Sequence, residues 1–287
     1  KKHHLALYSS AILIFLCAAA LLAGVIQGLL GVSHSQAVLE LVNRSSGWPH
    51  IMGTNELGQD VFTRLLYGGR ISLAVGIISA VASAIIGSVI GLIAGFYGGR
   101  LDSILMRFTD GMLSIPILPL MIVFSAIDLQ TFFGENAWTS GNMASVIKLI
   151  LIIVFFGWMT VARLARAAAI QLKNMEFVTA ARALGAHDLR LLLVHILPNA
   201  LAPIIVAATL EVGNNILYEA ALSFLGLGVQ PPVSSWGNML TNAIDYIKTD
   251  PGLAFWPGFL ILVTVSCFNF LGDGLRDALD PHQVMKH

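Results

Sequence analysis

Residues 71–96 read ISLAVGIISAVASAIIGSVIGLIAGF and contain no charged side chain. An apolar block of about 18 or more residues is long enough to cross the hydrocarbon core of a bilayer as a helix. A helix satisfies its backbone N–H and C=O groups within its own segment, which a lipid environment requires. Ile71–Phe96 therefore reads as a membrane span. Five more blocks share its character: Ser10–Leu30, Ile104–Ile127, Ala144–Ala169, Ala200–Leu222 and Ala254–Leu271. The fold class is all-α, a polytopic membrane protein of about six transmembrane helices. No Gly-, Ser- or charge-rich linker divides the chain, so residues 1–287 read as a single transmembrane domain. Composition agrees with this. Hydrophobic residues make up 56% and charged ones 11%, against roughly 25% charged in soluble domains. Mean hydropathy is +0.81. Such a chain cannot coat a water-facing surface, and its environment is the lipid bilayer. A formal net charge of zero gives no reason to expect nucleic acid.

The distribution of charge sets the orientation. With Lys1 in the cytoplasm, the inner side holds Lys1, Lys2, Arg100, Arg107, Arg163, Arg166, Lys173, Arg182, Arg190, Arg276 and Lys286, most of the sixteen basic residues. Cytoplasmic loops carry this excess in multi-pass proteins. Both termini are thus expected inside. The first block follows basic residues as a signal peptide does, but it is a full span long and no Ala-x-Ala site follows it, so it reads as a retained helix. Cys17 and Cys267 lie in apolar blocks and read as packing residues rather than a disulfide.

Three features inside the spans carry information. Gly87, Gly91 and Gly95 recur every four residues, which stacks them on one helix face. Small residues there let a second helix approach closely. Pro116 and Pro119 should bend the third span, either to line a cavity or as a plain kink. The fifth span carries Glu211, Asn214, Asn215, Tyr218, Glu219 and Ser223. Steps of four join Glu211, Asn215, Glu219 and Ser223 into one stripe. Polar groups at membrane depth default to function or interhelical bonding. The stripe reads as a water-lined path or a subunit seam, with Asn269 and Asp110 as further members. Arg107 and Asp110, three apart, are also placed to pair on a helix. The acidic stripe suits a cationic or zwitterionic solute.

The inner connection 171–198 is the most informative loop. From Lys173 to Pro198 it reads KNMEFVTAARALGAHDLRLLLVHILP, too polar to span but helically periodic in Val178, Ala181 and Leu184. Gly185 breaks the run, Asp188 is a candidate cap for a second short helix, and Pro198 is expected to close the segment, with its neighbourhood opening the fifth span. Two short helices with a glycine turn make a knob that suits a cleft on a cytoplasmic partner. An amphipathic helix resting on lipid is the alternative.

Thr179-Ala180-Ala181, then Gly185, then Leu197-Pro198 resembles the cytoplasmic loop signature of ABC-importer permeases. Thr179 stands where that signature has glutamate and His195 where it has isoleucine, with the spacing intact. Three further stretches resemble the dipeptide, oligopeptide and nickel permeases, in particular their C-type subunit. They are HIMGTNELGQDVFTRLLYGGRISL (His50–Leu73), EAALSFLGLGVQPPVSSWGNML (Glu219–Leu240) and NFLGDGLRDALDP (Asn269–Pro281).

The resemblance implies a type I ABC-importer permease fold in a bacterial plasma (inner) membrane. It implies a second homologous permease subunit, two cytoplasmic ATPase subunits that bind ATP and Mg, and an extracytoplasmic solute-binding protein. No cofactor is then expected on this chain. By position, Thr179, Ala180, Ala181, Arg182, Gly185, Asp188, Arg190, Leu197 and Pro198 would form the ATPase-docking loop. Glu211, Asn214, Asn215, Glu219 and Asn269 would line the translocation path. The solute is expected to be a di- or oligopeptide, with nickel or a metal chelate as the alternative.

The sequence has no phosphate-cradling Gly-x-x-x-x-Gly-Lys-Ser/Thr, no His-Glu-x-x-His and no Gly-x-Ser-x-Gly. The chain is therefore expected to be no enzyme, and its scattered histidines suggest no metal site. A secondary transporter driven by an ion gradient is a further reading, though no internal repeat supports it. A purely structural membrane subunit fits the polar stripe poorly. A reporter fused at Asn136 is expected to be labelled from outside; labelling only from the cytoplasm overturns the topology.

Overall fold

The computed structural model describes residues 2–128, 130–131, 134 and 140–279. Asn136, Pro281, Lys1 and Lys286, all used above, lie outside the described residues. Ten helices are described: α1 (Lys2–Leu21), α2 (Ala23–Leu30), α3 (Val61–Tyr97), α4 (Gly99–Leu113), α5 (Ile117–Ser125), α6 (Ala144–Leu172), α7 (Glu176–Ala183), α8 (Asp188–Phe224), α9 (Trp236–Ala243) and α10 (Gly252–Leu279). Five segments are long and apolar enough to cross a membrane: His4–Leu21, α3, α6, α8 and α10. The pair α4 and α5, bent by 84°, makes a sixth if it is one broken span.

The spans thus fall where expected, but several boundaries differ, and three of these differences have local physical reasons. The second span starts ten residues early, at Val61. Asp60 caps it: its Oδ2 accepts the Thr63 N–H at 2.8 Å, which satisfies one of the donors every helix start leaves free. The third span is two helices rather than one. Prolines 116 and 119 do more than bend it, because the chain breaks at Ser114–Pro116. The first span is interrupted at Leu22. There Arg70 of α3 donates to the carbonyls of Ala20 and Leu21, the latter at 2.7 Å. Lys173 does the same for the end of α3, donating to the Gly95 carbonyl at 2.7 Å, and Lys148 for the end of α5 through the Ser125 carbonyl. Basic side chains at helix C-termini satisfy the last carbonyls and complement the helix dipole.

The centre of the bundle is the α3–α6 pair. A Cβ added at Gly87, Gly91 or Gly95 would lie 2.4, 2.2 and 2.5 Å from the carbonyl oxygens of Trp158, Ala162 and Arg166. The stripe is a packing face, and it meets a matching run of small residues, Ala162, Ala165 and Ala169, all 0% exposed. Bidentate Arg166–Asp102 contacts (2.7 Å for Nη2–Oδ2) and an Arg163–Asp110 pair at 2.8 Å tie α4 to α6. Asp110 therefore pairs with Arg163, on another helix, rather than with Arg107. Cys267 is buried and Cys17 half-buried, both free and both in the apolar cluster around α10.

Gly91→Leu should cost about 1–3 kcal/mol or more, since backbone rather than a movable side chain occupies the space. Thermal unfolding in detergent measures this; an unchanged Tm would show that α3 and α6 separate more easily than their packing indicates.

Candidate functional site

The two ends of the bundle are built differently. At one end, α7 and the start of α8 form the knob. Val178, Leu191 and Ile196, all 0% exposed, press it onto Ala165, Ala169 and Phe96. The Arg182 guanidinium lies 5.7 Å from the centroid of the Phe96 ring, a cation–π distance. Gly185 ends α7 at φ +91°. The Ala186 N–H bonds the Ala181 carbonyl at 3.1 Å and the Gly185 N–H bonds the Arg182 carbonyl at 3.0 Å. This is the Schellman closure, which needs a left-handed residue at that position. The glycine of the signature is thus a helix stop.

Two expectations fail in the knob. Asp188 is not the cap: His187 precedes the helix, and its Nδ1 accepts the Arg190 N–H at 3.1 Å. Pro198 stands in the first turn of the regular α-helical stretch Leu197–Phe224, where the fifth span is expected to open, but it does not stop the helix before it: α8 runs unbroken from Asp188 to Phe224. A π-helical turn at Leu191–Ile196 comes immediately before that stretch. Proline inside a helix lacks an N–H and crowds the carbonyl one turn back; the wider turn supplies slack for the ring. Of the expected docking residues, Thr179, Ala180, Arg182, Gly185, Asp188, Arg190 and Pro198 are exposed, and Ala181 and Leu197 are half-buried. Leu184 is 90% exposed, Leu189 60% and Leu193 53%. Leu184 is presented to the surroundings at the glycine turn, whereas Leu189 and Leu193 line an apolar groove with Val81, Ile85 and Ile93 of α3.

At the other end a buried carboxylate organises the packing. Glu219, 0% exposed, accepts from the Ser72 hydroxyl and from the Ser223 hydroxyl, each at 2.8 Å. The Ser72 hydroxyl in turn accepts the Trp236 N–H at 3.1 Å, and that of Ser223 accepts the Val229 N–H at 3.0 Å. The Trp236 indole donates to the Leu65 carbonyl at 2.9 Å and packs over Gly69. Two of the three stretches quoted above, 50–73 and 219–240, are therefore one packed unit. Nearby, His34 stacks on Tyr67 at 3.7 Å. Burial, with the charges of Arg64 and Arg70, holds its imidazole pKa below the usual value.

The stripe of steps of four does not share one environment. Glu219, Asn215 and Ser223 are at most 1% exposed and sit between α8 and α3, where the Asn215 amide donates to the Gly76 carbonyl at 3.5 Å. Glu211 and Asn214 face outward instead, half-buried and exposed, with Tyr218 one turn further. With Asp273 and Arg276 of α10 and Thr160 of α6, they line a groove of about 580 Å³. Asn269 is exposed, and its Oδ1 lies 3.7 Å from where a Gly213 Cβ would be, close to the groove. The expected lining thus divides. Glu211, Asn214 and Asn269 are open to the surroundings of the chain, whereas Asn215 and Glu219 are buried between helices. The sequence reading did not place Asp273 and Arg276 in the groove. Their signal was the spacing from Asn269 by four and by seven, which puts all three on one face.

These features define a polytopic helical membrane protein with a polar groove along one face and an apolar knob at one end. Residues 87–284 match the family described as the binding-protein-dependent transport system inner membrane component, and the chain belongs to this family. The chain is 44% identical over 232 residues to the oligopeptide transport system permease protein OppC of Escherichia coli (strain K12), covering 81% of this chain and 72% of that protein. Against the OppC of Haemophilus influenzae the figures are 42%, 81% and 70%. Against the dipeptide transport system permease protein DppC of Bacillus subtilis (strain 168) they are 38%, 98% and 83%. Among solved structures, an inward-facing form of the MetNI methionine ABC transporter superposes with a TM-score of 0.60 at 20% identity, over 76% of this chain and 97% of that one. The fold is accordingly that of a type I ABC-importer permease, and the secondary-transporter reading is set aside.

Glu219→Leu should destabilise the chain by several kcal/mol, because it leaves two buried hydroxyl donors without an acceptor, at about 1–3 kcal/mol each. Glu211→Leu, in the open groove, should stay within about 0.5 kcal/mol. Parallel melting in detergent compares the two; equal Tm losses would contradict the division.

Proposed function

We propose that this chain is one of two pore-forming subunits of an ATP-driven importer of di- and oligopeptides. The observation that carries the reading is that relatives aligning across most of the chain are named as oligopeptide and dipeptide permeases. None of these names is a metal permease, so the nickel alternative is not favoured. The partners in this reading are a second, homologous permease, two cytoplasmic ATPases that hold ATP and Mg, and an extracytoplasmic solute-binding protein. Hydrolysis belongs to the ATPases, and this chain does no covalent chemistry and holds no cofactor.

Both termini and the knob face the cytoplasm in this arrangement, and residues 1–287 act as one permease domain. The exposed Leu184 inserts into a cleft of an ATPase, while Arg182, Asp188 and Arg190 border the contact. Closure of the ATPases on ATP displaces the knob, and α8 carries the displacement into the membrane as a rigid element. Glu211, Asn214 and Asn269 line the path. A charged side chain facing lipid at helix centre costs about 2.5–3.5 kcal/mol. Glu211 is therefore suited to a wet seam against the second permease and ill suited to the lipid face.

Leu184→Glu should lower co-purification of the ATPases at least about tenfold, while the two permeases still elute together. Glu211→Leu should leave all subunits assembled and reduce peptide uptake into proteoliposomes by a similar factor. Normal uptake by Glu211→Leu would remove α8 from the path, and full ATPase retention by Leu184→Glu would remove the knob from the contact.

A further inference from the structure

The groove that holds Glu211 also holds Arg276, and among the described residues no ion pair within 4.0 Å engages Glu211, Asp273 or Arg276. Opposite charges that share a groove without neutralising each other are available to an outside ligand. Their separation follows from the helix contacts. α8 and α10 run antiparallel: a Cβ at Gly213 would lie 3.6 Å from the Val265 carbonyl oxygen, and one at Gly272 2.6 Å from Leu210 Cδ2. These two contacts bracket Glu211 between the levels of residues 267 and 271 of α10. Arg276 lies beyond that level toward the knob end. At 1.5 Å per residue, their axial separation is about 8–13 Å. Asp273 lies between the two levels and adds a second carboxylate.

Extended di- to tetrapeptides span about 7–14 Å at 3.3–3.6 Å per residue, with an ammonium at one end and a carboxylate at the other. The groove volume of about 580 Å³ accommodates such a molecule with water. A guanidinium recognises a carboxylate through paired N–H donors, and a carboxylate recognises an ammonium by charge-assisted hydrogen bonds. Resting on the reading of this chain as a peptide permease, the geometry points to a zwitterion-binding subsite in the groove. Glu211 with Asp273 takes the free N-terminus of a short peptide, and Arg276 takes its free C-terminus. The permease then reads both ends of the peptide after the binding protein has released it, and a peptide blocked at either end is held less well.

The test uses the assembled complex in nanodiscs without ATP or binding protein, so that only the permease can select. Radiolabelled dialanine, N-acetyl-dialanine and dialanine amide are titrated by scintillation proximity. One lost charge-assisted contact corresponds to about a tenfold weaker Kd. Free dialanine should bind saturably at millimolar concentration, and each blocked form about tenfold more weakly. Glu211→Gln should erase the difference between free and acetylated peptide, and Arg276→Gln the difference between free and amidated peptide. Glu211→Asp and Arg276→Lys, which keep the charges, should retain both preferences. Equal binding of free and blocked peptides, no saturable binding, or preferences untouched by both neutral substitutions would overturn the subsite. Uptake by the wild-type complex with ATP and binding protein is measured alongside. Failure to import free dialanine there sinks the permease reading itself, whereas import without end preference sinks only the subsite.

Discussion

A carboxylate with no exposure to solvent sits in the seam between α3 and α8, and much of one end of the molecule is arranged to keep it satisfied. Glu219 accepts from two serine hydroxyls, each of which accepts in turn from a backbone N–H of the segment 226–251. Removing an ionisable group from water is costly unless hydrogen bonds replace its hydration. Every element that supplies those bonds is thereby held in one register. Ser72 fixes α3, Ser223 fixes α8, and the N–H groups of Val229 and Trp236 fix the loop above them. Trp236 then seats its indole on Gly69, where an added Cβ would lie only 3.0 Å from the ring. The loop needs no disulfide because a polar relay ties it to the bundle.

The opposite arrangement holds between α3 and α6, where no polar group is required. Glycines on one helix and alanines on the other bring backbones together, which is how helices associate when lipid supplies no hydrophobic drive. The two devices divide the work. Close packing sets the α3–α6 distance, and the buried carboxylate sets the register of α3 against α8. Basic side chains complete the frame, with Arg70, Lys148 and Lys173 each closing a helix end.

Much of this was legible in the sequence. Apolar blocks gave the spans, and glycine spacing gave the packing face, because both depend on local composition and helical period. The polar residues of α8 were legible only as a group. Steps of four align Glu211, Asn215, Glu219 and Ser223 on paper, yet a helix turns 100° per residue, so such a series drifts around the axis. The face that α3 covers is therefore decided by tertiary contacts. Ser72 and the segment 226–251, distant in sequence, determine that Glu219 is buried while Glu211 and Asn214 stay open. Pro198 misled for a related reason. A proline ordinarily stops a helix, and nothing local announces the π turn that lets α8 continue.

That continuity has a mechanical consequence. From Asp188 to Phe224, α8 is a single rod about 55 Å long, with the knob at its foot and Glu219 near its head. A lever of that length converts a tilt of about 5° into roughly 5 Å of travel at the far end. Pivoting near Glu219 would leave the loops above almost still while the foot swings widely, so the relay that fastens the head would also serve as the fulcrum.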